Sequence, residues 1–147
     1  MLSDHFIRLA QNIYSAKGTI HVYQQDNLPF TPRRVFWITD VPKLTKRGGH
    51  AHKTGEQFIF CVNGGVEVKI DGCEDAIFLD QDSAIGVYLR PLDWVDIRFL
   101  RPKSKIVVLA SNEYDESDYI RDYDEFKKLS NSLQRPKAGD SGSALEN

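Results

Sequence analysis

The stretch Arg47-Gly48-Gly49-His50-Ala51-His52-Lys53 decides how the rest of the chain is read. In an extended strand side chains alternate faces, so His50 and His52 point one way and Ala51 the other. Gly48 and Gly49 lack Cβ atoms, which lets the backbone turn sharply and lets a ligand come close. Arg47 and Lys53 bracket the pair with positive charge. Imidazoles titrate near neutrality, so one surface with two of them and flanking cations suits proton transfer on an anionic substrate, or metal binding. The plain alternative is a solvated His-x-His on the surface.

Composition sets the frame for that stretch. A chain of 147 residues makes one domain, long enough to bury a core. Nineteen Lys and Arg against 21 Asp and Glu give a net charge of −2, and no basic cluster is interleaved with aromatics. Nucleic acid is therefore not an expected partner. No apolar run approaches the roughly 18 residues of a membrane span, and the N-terminus carries no signal-peptide segment, so no membrane is expected either. Cys61 and Cys73 form no CxxC pair, and reduced thiols in a cytoplasmic protein are the economical reading.

Working outward, most of the chain reads as short strands. The segments 5–10 and 19–24 are mixed apolar strands separated by a polar stretch with Gly18, and Pro29 and Pro32 break the chain after them. Residues 34–40 are rich in β-branched and aromatic side chains. Residues 57–62 form the next strand, and Asn63-Gly64 reads as a hairpin turn. Val66, Val68 and Ile70 then alternate with Glu67, Lys69 and Asp71, a clean strand pattern closed by Asp71-Gly72. The segments 76–79, 84–89, 94–99 and 105–111 continue the series, and the apolar run 106–110 suggests a strand buried on both faces. Only the end changes period: Tyr123, Phe126, Leu129 and Leu133 predict one amphipathic helix over 122–133. The fold class is thus all-β, a sandwich or small barrel with one C-terminal helix. A single domain over 1–134 is followed by a tail, 135–147, whose Pro, Gly, Ser and charged residues predict disorder.

An all-β chain with His-x-His at a strand start resembles the cupin superfamily, a jelly-roll barrel. The usual cupin metal motif adds an acid shortly after the histidines, but Gln57 holds the position with the right spacing to Gly64. A third histidine is missing after Pro91, where the chain reads Leu92-Asp93-Trp94-Val95-Asp96. Two imidazoles and an amide fall short of a stable transition-metal site, so no metal or other cofactor is expected. The motifs Arg34-Val35-Phe36, Arg47 to Lys53, Gln57, Gly86-Val87-Tyr88, Pro91-x-x-Trp94 and Tyr114-Asp115-Glu116-x-Asp118-Tyr119-Ile120-Arg121 occur in that order. Together they are similar to the nucleotide-sugar 3,4-ketoisomerases. That resemblance implies a metal-free isomerase acting on dTDP-4-keto-6-deoxyglucose, in the biosynthesis of dTDP-linked 3-amino deoxysugars for surface polysaccharide. It also implies a homodimer that exchanges N-terminal strands.

Moving a ketone from C4 to C3 needs one proton transfer on carbon and one between oxygens, and a same-face imidazole pair suits both. His52 is assigned the carbon proton and His50 the oxygen shuttle, with Arg47 beside them to hold the enediolate or the pyrophosphate. Arg34 is expected to reach the diphosphate, Lys53 to complement phosphate, Gln57 to occupy the vacated acid position, and Tyr88 and Trp94 to line the sugar pocket. Three other readings stay open: a metal-dependent cupin enzyme, a related dTDP-sugar epimerase, and a non-catalytic sugar-binding cupin.

Overall fold

The computed structural model describes residues 2–9 and 11–134, so the expected disordered tail at 135–147 lies outside the described residues. After a 3-10 turn at Leu2–His5 come β1 (Phe6–Arg8), β2 (Gln11–Ser15) and β3 (Gly18–Val22). Then follow β4 (Arg34–Ile38), β5 (Lys46–His52), β6 (Gln57–Asn63), β7 (Gly65–Ile70) and β8 (Ile77–Asp80). The chain continues through β9 (Ile85–Leu89), β10 (Val95–Phe99), β11 (Lys105–Ala110) and β12 (Tyr119–Ile120), and ends on α1 (Tyr123–Gln134).

Two antiparallel five-stranded sheets face each other, one ordered β1-β9-β6-β11-β4 and the other β12-β5-β10-β7-β8. The core between them holds Val66, Val68 and Ile70 from the alternating strand and Ile59, Val87, Val95, Ile97, Phe99, Ile106 and Val108 from its neighbours. Each is a period-2 position, which is why the strands are legible and why both sheets turn the same set of side chains inward. The all-β jelly-roll class with one C-terminal helix is what the chain forms.

Three local expectations need correction. Asn63-Gly64 does not close a hairpin, because β6 and β7 belong to different sheets. It is a corner: Gly64 sits at φ +72°, and a Cβ there would stand 2.3 Å from Ser104 Oγ. The adjacent Gly65 N–H donates to that same hydroxyl at 3.0 Å, so the corner is pinned against the neighbouring loop. The polar stretch before Gly18 is strand, not spacer: Gln11 pairs with Val22 and Ser15 with Gly18 in a two-stranded ribbon. Tyr14 and Ile20 on this ribbon are exposed, so no burial pattern marks it in the sequence. Lastly, β11 is buried on one face only, with Ile106, Val108 and Ala110 inside and Val107 and Leu109 half-buried on the other side.

Candidate active site

The histidine pair lies on β5, and a bulge there decides which side chains join it. Val95 of β10 stands opposite His50, Asp96 opposite Gly48 and Ile97 opposite Arg47, leaving Gly49 as the extra residue. Arg47 and His50 are three apart and would face opposite sides of a regular strand. Across the bulge they instead match Val95 and Ile97, which are two apart and both point into the core. Gly48 and Gly49 have φ of +88° and +70°, and a Cβ on Gly48 would come within 2.6 Å of the Val95 carbonyl oxygen. The two glycines therefore put the arginine and both imidazoles on one inner face.

The short strand β12 completes the site from the other side. Tyr119 pairs with His52 in register, and its ring lies 4.3 Å from that of His52 and 5.2 Å from that of His50. The two imidazoles are 5.1 Å apart and perpendicular, at 89°. Arg121 places its guanidinium 4.4 Å over the Tyr119 ring and donates to Glu116 at 2.7 and 3.1 Å, while the Tyr114 hydroxyl also donates to Glu116 at 2.6 Å. Behind His52, Asp118 accepts from the Thr54 N–H at 2.9 Å, the Thr54 hydroxyl at 2.8 Å and the Gly55 N–H at 3.0 Å. Its Oδ2 lies 3.5 Å from His52 Nδ1. His52 Nε2 is buried and has no hydrogen-bond partner among the described residues.

Inside the barrel lies a cavity of about 200 Å³, lined by Arg47, His50, Gln57, Tyr119 and Arg121 at its polar end and by Phe36, Ile38, Ile59 and Val108 at its apolar end. A narrow crevice carrying Arg34, His52 and Asp118 meets it at Gln57 and Tyr119, which border both spaces. A polar rim carrying His50, with His52 in the adjoining crevice, above an apolar floor fits a small ring bearing hydroxyls and a methyl group. A larger cavity, about 670 Å³, lies on the outer face of the first sheet near His21, Tyr23 and Phe60, but it holds neither member of the histidine pair.

Electrostatics keep the pair neutral at rest. Burial lowers the pKa of His52 to about 4, the nearby His50 adds to this, and Asp118 opposes it. Burial likewise lowers His50, against a hydrogen bond to the Gly48 carbonyl. For Asp118, burial works against ionisation, but donors from Thr54 and Gly55 outweigh it and hold the carboxyl below its usual range. Near neutral pH the site thus presents two uncharged imidazoles, each with one unprotonated ring nitrogen, and a fixed carboxylate behind one of them. Among the described residues no group of three or more His, Cys, Asp and Glu side chains could hold a metal ion.

The residues singled out in the sequence fall into two groups. Arg34 points inward, 5.2 Å over Phe36 and 5.6 Å over Tyr114, with its Nε buried near His52 and unpartnered among the described residues. Gln57 is buried between the two spaces. With Arg47, His50 and His52 these form one constellation. Lys53 is exposed and contributes a backbone N–H to the Asp118 carbonyl at 2.8 Å. Tyr88 and Trp94 point away from the cavity. Tyr88 stacks on Phe30 at 6.2 Å and donates its hydroxyl to Glu56, and Trp94 packs on Tyr123 and Phe126 beneath α1. Sequence reading did not single out Tyr119, Arg121, Asp118 or Phe36 as site residues. The only signal for the first three was the run Tyr114 to Arg121, in which nothing distinguishes inward from outward residues.

Comparison with known proteins places this geometry among relatives. The sequence family described as "FdtA: WxcM-like, C-terminal" matches residues 3–131. A TDP-4-oxo-6-deoxy-alpha-D-glucose-3,4-oxoisomerase from Aneurinibacillus thermoaerophilus is 34% identical over 139 residues, covering 94% of this chain and 100% of that protein. The sugar 3,4-ketoisomerase QdtA from Thermoanaerobacterium thermosaccharolyticum, solved in complex with TDP, superposes with a TM-score of 0.81 at 34% identity over 88% of this chain and 96% of its own. WlaRA, a TDP-fucose-3,4-ketoisomerase from Campylobacter jejuni, gives a TM-score of 0.77 at 30% identity over 87% and 96%. At 17% identity and a TM-score of 0.67, the rmlC epimerase of Mycobacterium tuberculosis shares the fold.

Proposed function

This chain belongs to the FdtA-like family of sugar 3,4-ketoisomerases, and we propose that it moves the keto group of dTDP-4-keto-6-deoxyglucose from C4 to C3 through a 3,4-enediolate. The observation that carries the reading is a neutral, same-face imidazole pair in which His52 Nε2 is buried without a partner among the described residues, in the crevice that adjoins a sugar-sized cavity lined by His50. His52 takes the C3 proton, and the electron pair moves into the C4 carbonyl. His50, at the polar end of the cavity, carries the hydroxyl proton from O3 to O4. Return of a proton to C4 leaves the ketone at C3. Arg47 and Arg34 supply positive charge where the enediolate and the diphosphate carry negative charge. A 3-keto sugar is the form that an amination step would convert to a 3-amino sugar, which is where this reaction serves polysaccharide synthesis.

A cytoplasmic setting is supported by the two free cysteines, Cys61 and Cys73. No described helix is long and apolar enough to cross a membrane. The working unit is a homodimer with exchanged N-terminal strands. In one chain, Phe6, Ile7 and Arg8 pair with Val87, Gly86 and Ile85 of β9. A swapped dimer would make the same contacts onto the partner's β9, at little energetic cost.

The test is NMR of the product formed from dTDP-4-keto-6-deoxyglucose in deuterated buffer by chelator-treated protein. The expected product has its ketone at C3 and deuterium at C4. An altered ring configuration without ketone movement identifies an epimerase, binding without turnover a sugar-binding cupin, and activity lost to chelator and restored by a divalent ion a metal enzyme. Any of the three overturns the proposal. Within it, His52→Asn should lower kcat by roughly a hundredfold to ten-thousandfold and stop solvent exchange at C3. His50→Asn should still allow that exchange while failing to complete the isomerisation. If both variants turn over at near wild-type rates, the pair is structural.

A further inference from the structure

Asp118 is built into the site more firmly than a chance neighbour of a histidine would be. Three donors from Thr54 and Gly55 fix its two oxygens at 2.8 to 3.0 Å. The Lys53 N–H donates to its backbone carbonyl at 2.8 Å, which ties the 53–55 turn to the residue just before β12. Gly55 is needed for this approach, since a Cβ there would lie 2.9 Å from Asp118 Oδ2. With the carboxylate so anchored, Oδ2 stands 3.5 Å from His52 Nδ1, and the Tyr119 ring holds the imidazole plane at 4.3 Å. A neutral imidazole keeps one proton, and an acceptor-only carboxylate favours that proton on the nitrogen facing it.

We propose that Asp118 is a positioning residue that fixes the His52 proton on Nδ1, so that Nε2 presents the lone pair which takes the carbon proton. It would also steady the imidazolium formed in that step. This inference rests on the reading of His52 as the carbon base. Asp118→Asn separates the effects. The asparagine keeps the two Thr54 donors satisfied if its oxygen takes the Oδ1 place; the Gly55 N–H then loses its acceptor, and the NH₂ faces His52 Nδ1. That nitrogen becomes an acceptor and the proton moves to Nε2.

The experiment is nitrogen-15 NMR of histidine-labelled, substrate-free enzyme, paired with kinetics and calorimetric binding of TDP. Wild-type His52 should show the Nδ1–H tautomer. Asp118→Asn should shift it to Nε2–H and lower kcat on the order of tenfold to a thousandfold, leaving KM and TDP affinity within about twofold. An Nε2–H tautomer in wild-type enzyme overturns the proposal and needs no folded variant. So does a variant that keeps the Nδ1–H tautomer, keeps its kcat, or loses TDP binding in step with kcat. Failure of the functional reading appears elsewhere, as absence of C3 exchange by wild-type enzyme, and the tautomer result does not depend on it.

Discussion

The inner faces of the two sheets share one core, but their outer faces are finished differently. Behind the histidine strand, α1 covers the sheet, and Ala51, Trp94, Ile120 and Phe126 are buried together at 0 to 8% exposure. On the opposite sheet, Trp37 is 67% exposed, Val35 54% and Val62 47%. These stand on β4 and β6, with Val107 and Leu109 of β11 between them, so the apolar surface is continuous. Among the described residues only part of this face is covered, where Tyr23 packs edge-on against the buried Phe58 at 4.7 Å. The contrast separates two jobs. The sheet that carries the chemistry is sealed by its own helix, so the spacing of His50 and His52 depends on one chain. The other sheet keeps a large apolar patch, the signature of a surface that meets another protein.

The largest effect expected from disturbing this contrast is loss of the seal. Phe126→Ala removes a ring that packs on Trp94 at 5.3 Å and on Tyr123 at 5.9 Å. A buried Phe→Ala change costs roughly 3–5 kcal/mol. Urea titration should show that loss, and since Ala51 lies between the two histidines, kcat should fall with it. A change under about 1 kcal/mol would mean that α1 does not seal the sheet.

The second effect comes from the inner face of the same strand. His52 titrates at about 4 in the folded chain against an ordinary 6.5. Between those values the unfolded chain binds more protons than the folded one. Its contribution is therefore complete above pH 6.5 and is lost as pH falls from 6.5 towards 4. The lowering of His50 acts in the same direction. The loss should amount to on the order of 3 kcal/mol. Stability measured across that range should sag in wild-type protein and flatten in His52→Asn; an equal sag in both would assign it to other groups.

How much of this was legible follows from parity. The alternation of Val66, Val68 and Ile70 names both the strand and its inner face, and the helix period names Phe126 as a core residue. Parity also puts His50 with His52. It fails at Arg47, which a regular strand would turn away and only the Gly49 bulge brings in. It fails again for Tyr88 and Trp94, because aromatic content favours a strand without saying which face the ring takes. The short β12 has too few residues to show a period, so Asp118, Tyr119 and Arg121 could be located only by contacts across β5. Those contacts join residues more than 60 apart in sequence, as between Asp118 and Thr54.

The smallest effect on the folding of a single chain, and the sharpest test of the contrast, is expected at Trp37. Trp37 is two-thirds exposed and belongs to no core cluster, so Trp37→Glu should change the stability of the isolated chain by no more than about 0.5 kcal/mol. A glutamate at Trp94 would instead have to be buried beneath α1. If the open sheet is the surface on which two copies meet, the charge from each copy enters one apolar contact and must be desolvated there. Sedimentation at micromolar concentration should then give a dimer for wild type and a monomer for Trp37→Glu, with unchanged circular dichroism. A wild-type monomer would remove the homodimer. A variant that stays dimeric would move the contact off this face and leave its apolar patch for some other occupant.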